Sequence, residues 1–136
     1  AVADDPAGAW SQHAASVQAL LDGPTAEDTF THPMAGEHRL VEAIDRFYTA
    51  DVYMHTWDLA RSQGVTPDLD PGFAGQLLEG MASIDDILRS SGQYGPKVEV
   101  DADADPVSRL MGFIGRDPRW TPATRSDDEH ALDNAE

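Results

Sequence analysis

Three times in this chain an aspartate is followed directly by a proline: Asp5-Pro6, Asp70-Pro71 and Asp105-Pro106. Each pair opens a stretch with helical periodicity. The aspartate side chain accepts from a backbone N–H that the first turn leaves unbonded, and proline at the first helical position has no N–H to satisfy. Three such starts fix three helices and leave little room for an extended sheet. The first helix is expected over 6–21, with Trp10, Ala14, Val17 and Leu21 as its apolar stripe and Asp22-Gly23-Pro24 as its stop. The third runs over 71–90, with Phe73, Leu77, Met81, Ile84 and Leu88 on one face and Gly92 beyond its end. A short fourth helix over 106–114 carries Val107, Leu110, Met111 and Ile114.

Between these lies a longer helix without an Asp-Pro start, expected over 37–63, with Gly64 as its left-handed terminating residue. At 1.5 Å per residue it would be about 40 Å long. Residues 25–37 are read as a connection with a short extended piece or hairpin, and 97–100 as a short strand or extended cover. From Thr121 to the end the chain is polar and acidic, so 121–136 are expected to form a disordered tail. The fold class is therefore all-α: one domain over 1–120, an antiparallel helical bundle with one hairpin or extended connection. The long second helix needs long neighbours on both sides, and the first and third helices supply only two shorter ones. The bundle is short of partners.

Twenty-five acidic residues face nine basic ones, for a formal net charge of −16. Such a surface repels phosphate backbones and anionic lipid, which speaks against nucleic-acid and membrane partners. The absence of cysteine rules out disulfides and protein thiolate chemistry. No apolar run approaches the ~20 residues of a membrane-spanning helix. The opening Ala1-Val2-Ala3-Asp4-Asp5 lacks both regions of a signal peptide, so the expected compartment is the cytoplasm. The chain starts without methionine and is expected to be processed or part of something longer.

Within the long helix, steps of three and four lead from Leu40 through Ile44, Phe47 and Tyr48 to Asp51, His55 and Asp58. A face that should be buried thus turns acidic and imidazole-bearing. A carboxylate and an imidazole at i and i+4 can share one divalent metal ion, with Asp58 one turn on as the acceptor that fixes the His55 tautomer. The plainer reading is a self-satisfied Asp51–His55 pair, with Asp58 bridging to Arg61 at i+3. A metal site usually needs three protein ligands. His38 is 17 residues before His55 on the same helix and too far away, His32 lies in the connection, and His130 lies in the tail. His13 is a weak candidate for the third ligand, since an antiparallel first helix would bring it towards Asp51. Trp57 points away from the cluster and is expected to pack against the third helix.

The stretch Asp51-Val52-Tyr53-Met54-His55-Thr56-Trp57-Asp58-Leu59-Ala60-Arg61-Ser62-Gln63-Gly64 resembles the signature of an actinobacterial family of the DinB/YfiT-like superfamily. That family is related to the N-terminal domain of mycothiol-dependent maleylpyruvate isomerase. Asp5-Pro6-Ala7-Gly8-Ala9-Trp10 is similar to the start of the family's third helix. Tyr94 to Val100, Ala102 to Pro106, and Gly115-Arg116-Asp117-Pro118-Arg119-Trp120 are similar to its C-terminal stretch. The resemblance spans about residues 4–120 and corresponds to the C-terminal two-thirds of a family member.

It implies a four-helix bundle lacking its first two helices, and a divalent metal, often zinc or nickel, held by three side chains. Asp51 and His55 match the acidic-x-x-x-His pair. The third ligand, a His on the family's second helix, has no counterpart here. The implied chemistry is isomerisation or transfer on a small-molecule substrate with a low-molecular-weight thiol. The alternative is a non-catalytic helical module whose polar cluster is structural. Such a module would form a homodimer or pair with a missing N-terminal segment.

Overall fold

The computed structural model of the chain describes residues 2–33 and 36–123. In order it contains α1 (Pro6–Asp22), β1 (Thr29–His32), β2 (Gly36–Arg39), α2 (Leu40–Ala43), a π-helical segment (Ile44–Thr49), α3 (Ala50–Ser62), α4 (Pro71–Ala82), α5 (Asp85–Ser90) and α6 (Pro106–Phe113). The described residues are mostly helical, with 55% of them in helix and 7% in strand. The strands form the expected hairpin, antiparallel, with Thr29 opposite Arg39 and His32 opposite Gly36. None of the described helices is long and apolar enough to cross a membrane.

All three Asp-Pro pairs are helix starts. Asp5 accepts from the Gly8 N–H at 2.9 Å, Asp70 from Gly72 at 2.8 Å and Asp105 from Ser108 at 3.0 Å. At the other end of α3, Gly64 adopts φ +73°, with its N–H on the Arg61 carbonyl and the Val65 N–H on Ala60, the paired bonds of a Schellman stop.

Two expected helices differ. The one expected over 37–63 begins at Leu40, because residues 36–39 pair with β1. The N–H groups of Leu40 and Val41 donate to the carbonyls of Asp28 and Ala26, so the hairpin's flank satisfies the new helix start. The helix expected over 71–90 is broken between Ala82 and Asp85, where Ile84 leaves helical geometry at φ −124°, ψ 26°. Asp85 and Asp86 then begin α5, where acidic side chains favour the positive end of the helix dipole.

Contacts divide the chain into two compact units, with the boundary between Asp51 and Val52. In the first, α2 lies against the hairpin, and Ala43 and Ala50 are buried. Ala14, Val17 and Leu21 form the half-buried side of α1 as expected, whereas Trp10 is 54% exposed.

The second unit holds the main core. Tyr53, Met54 and Trp57 of α3 pack with Ala74 of α4 and with Leu110, Met111 and Ile114 at α6. The Tyr53 hydroxyl donates to the Asp70 carbonyl at 2.7 Å, and its ring meets Phe73 edge-on. Residues 97–100 are an extended cover over α6 rather than a strand, with the Val98 N–H on the Gly112 carbonyl at 2.9 Å. A Cβ at Gly112 would stand 2.3 Å from Val100 Cγ2, so only glycine permits this approach. Of the tail expected over 121–136, residues 124–136 lie outside the described residues.

Candidate metal site

The face of α3 that the sequence marks as inward is not its buried face. Tyr53, Met54 and Trp57 are buried, whereas Asp51 and His55 are exposed, with 62% of the His55 side chain open. Two physical reasons account for this. The large apolar side chains bury more surface and so decide which side meets α4 and α6, and the polar groups avoid the cost of desolvation. In addition, Ile44–Thr49 is a π turn with wider i→i+5 bonding, so steps of three and four counted from Leu40 to Asp51 do not hold one face. Trp57 does pack into the core that contains Ala74 of α4, as expected.

Asp58 is the best-anchored polar group of the cluster. His55 Nδ1 lies 2.9 Å from Asp58 Oδ2, the contact expected of a carboxylate that orients the ring. The carboxylate also receives two hydrogen bonds from Arg116, Nε to Oδ1 at 2.5 Å and Nη2 to Oδ2 at 2.7 Å. Partial burial works to raise the Asp58 pKa, but the donations from Arg116 and His55 outweigh it, and the carboxyl sits below the usual carboxylate range.

The alternative bridge from Asp58 to Arg61 is not formed. Arg61 instead donates through Nη2 to the carbonyls of Pro118 and Trp120, at 3.0 and 2.6 Å, with its guanidinium 5.7 Å from the centre of the Trp57 ring. Trp57, Asp58, Arg61, Arg116 and Trp120 line a cleft of about 280 Å³.

His13 is exposed on α1 and meets the Tyr48 ring edge-on at 5.7 Å, with Trp10 on its other side at 6.4 Å. Tyr48 stands one helical turn before Asp51. His38 packs edge-on against Phe47 and His32 stacks with Phe30. Phe30, His32, Leu40, Ile44, Phe47 and Tyr48 line an almost wholly apolar groove of about 420 Å³ in the first unit. Among the described residues, no three His, Cys, Asp or Glu side chains come together as a metal-binding group.

No family model matches the chain, and no curated protein and no solved structure proves similar to it.

The donor set can be weighed on its chemistry. Asp51 offers a carboxylate and His55, four residues on in α3, an imidazole. Asp58 accounts for Nδ1 of that ring. A carboxylate and an imidazole are donor types that suit zinc or nickel, but two are fewer than the three protein ligands such a site usually has.

Arg116 had no place in the sequence-derived cluster. Its signal is local but faint: a glycine just past α6, as at the end of α3, followed by a basic residue.

Proposed function

We propose that this chain is part of a DinB-like helical bundle that binds a divalent cation, zinc or nickel, through Asp51 and His55. The observation that supports the reading is the His55 Nδ1–Asp58 contact at 2.9 Å, with Arg116 on the same carboxylate, an arrangement of the kind that orients a ligating imidazole. Ligands beyond these two come from outside the pair, with His13 a weak candidate for the third. A cation held by Asp51 and His55 would lower the pKa of an adjacent thiol and so would supply thiolate near neutral pH. These 136 residues include no cysteine, which is compatible with an exogenous small-molecule thiol. By its resemblance the domain serves a thiol-dependent isomerase or transferase acting on a small-molecule substrate. The residues of this chain position and orient; the exposure of His55 leaves room for substrate and thiol at the pair.

The test is metal analysis of the purified chain after loading and dialysis, with Asp51→Ala and His55→Ala as controls. The reading expects bound metal that either substitution sharply reduces. Substoichiometric metal that neither substitution changes would sink it.

One observation favours a second reading, a non-catalytic helical module that self-associates or pairs with a further segment. The apolar groove in the first unit is flanked by exposed Phe30 and Phe47, and such a patch marks an interaction surface more often than bare solvent contact. Sedimentation equilibrium decides it: a strict monomer at high protein concentration, with no binding of an apolar dye, counts against this module.

A further inference from the structure

The cleft between the end of α3 and the stretch past α6 is held in shape from both sides. Arg61 lies in the last turn of α3, and its Nη2 donates to the carbonyls of Pro118 and Trp120 at 3.0 and 2.6 Å. Those carbonyls belong to a turn that is itself closed. The Trp120 N–H returns to the Asp117 carbonyl at 3.0 Å, and the Arg119 N–H donates to the Asp117 carboxylate at 2.9 Å. Trp57 lines the cleft from the hydrophobic core, whereas Trp120 lines it with 49% of its surface open. The volume of about 280 Å³ falls just below the ~300–1,000 Å³ of ordinary small-molecule sites, so the room is for one small ring and not for a peptide.

Charge is distributed here against the trend of the chain. Nine basic residues face 25 acidic ones overall, yet Arg61, Arg116 and Arg119 gather around only two carboxylates, Asp58 and Asp117. Each carboxylate already has its own arginine. Asp58 takes the fork of Arg116, and Asp117 Oδ1 takes Arg119 Nε at 3.0 Å. Among the described residues Arg61 forms no ion pair with a carboxylate. Its two hydrogen bonds go to neutral carbonyls, whose dipoles do not cancel a full positive charge. Its Nε is buried and has no acceptor among the described residues. A guanidinium presents five N–H donors, so two bonds from one nitrogen do not exhaust it.

We infer that this cleft binds a small aromatic monocarboxylate, with Arg61 holding the carboxylate and Trp57 and Trp120 contacting the ring. The planar guanidinium matches a carboxylate in geometry as well as in charge. One unmatched cation calls for a monoanion, because the second charge of a dianion would face Asp58 and Asp117 with nothing to offset it. Indole rings take a flat apolar body in stacked or edge-on contact. The site asks nothing of Asp51 or His55 and leaves Arg116 on Asp58, so it goes beyond the metal reading and does not rest on it. An Arg61 that served only to latch the 117–120 turn to α3 would show no preference for an anion.

The test is titration of the metal-stripped full chain with benzoate, with its neutral isostere benzamide and with inorganic phosphate, at constant ionic strength. The readout is the indole N–H signals in 1H–15N spectra. Benzoate is expected to shift Trp57 and Trp120 saturably and to leave Trp10, which does not line the cleft, unmoved. Benzamide and phosphate are each expected to bind at least tenfold more weakly. Arg61→Met is expected to weaken benzoate about 10- to 100-fold, the worth of a hydrogen bond to a charged group. Arg61→Lys, which keeps the charge without the fork, is expected to fall between. Benzamide or phosphate binding as tightly as benzoate overturns the inference, and so does a benzoate shift that never saturates; neither outcome depends on a variant folding. An Arg61→Met chain that keeps native signal dispersion and binds benzoate like wild type overturns it too. Because no metal is present, failure here leaves the reading of Asp51 and His55 untouched.

Discussion

Asp105 accepts from the Ser108 N–H at the start of α6, the helix that supplies the centre of the second unit's core. Replacing it with alanine removes the cap, and the expected cost is about 0.5–2 kcal/mol in a urea melt at pH 7. Hydrogen bonds from the Ser108 hydroxyl and N–H hold the Asp105 carboxyl below its ordinary pKa. A carboxyl lowered in the folded state contributes its full stability above the unfolded pKa and loses it as the pH falls through the folded one. The difference between wild type and Asp105→Ala is therefore expected to shrink in strong acid; a difference that grows there would contradict the cap. Caps of this kind are legible in sequence because donor and acceptor are two or three residues apart. The Asp58–Arg116 pair is not, because its members are 58 positions apart and only the packed α6 turn brings them together.

At the level of elements, Gly112 marks how closely α6 and the 97–100 cover approach. A methyl group there would meet Val100 Cγ2 at 2.3 Å and the Val98 carbonyl oxygen at 2.7 Å. Although alanine is the better helix former, Gly112→Ala is expected to destabilise by about 1–3 kcal/mol through overpacking, read as a lower urea midpoint. An unchanged midpoint would mean that the cover moves aside freely. Helix starts and the hairpin's existence follow from local chemistry: Asp-Pro pairs, Gly64, and the Thr-rich run before Pro33. The break at 83–84 and the π turn do not. The former is coupled to Asp85, which bonds both Lys97 and Arg89, and these contacts favour a new helix start over a continuous helix. The π turn shifts the phase of the stripe, which is why the sequence places Asp51 and His55 inward and the structure leaves them exposed.

Across the whole molecule, burial is uneven. The second unit contains every member of the main hydrophobic cluster, whereas α1 buries no residue at all. Hydrogen exchange is expected to follow this division: slow amides over 53–57 and 110–114, and fast ones along α1. Uniform protection of α1 and α6 would contradict it. The helical class and one site contact, His55–Asp58, were readable from periodicity and spacing. The face they occupy and the Asp58–Arg116 pair were not, because both depend on which apolar side chains win the core.

Divalent-cation binding at Asp51 and His55, as proposed above, is open to a direct test with paramagnetic nickel. In a 1H–15N spectrum of the labelled chain, paramagnetic nickel at substoichiometric amounts is expected to broaden the amides around 51–58 first, and His55→Ala is expected to abolish that broadening. Broadening centred on His32 and His38, and unaffected by His55→Ala, would contradict the claim.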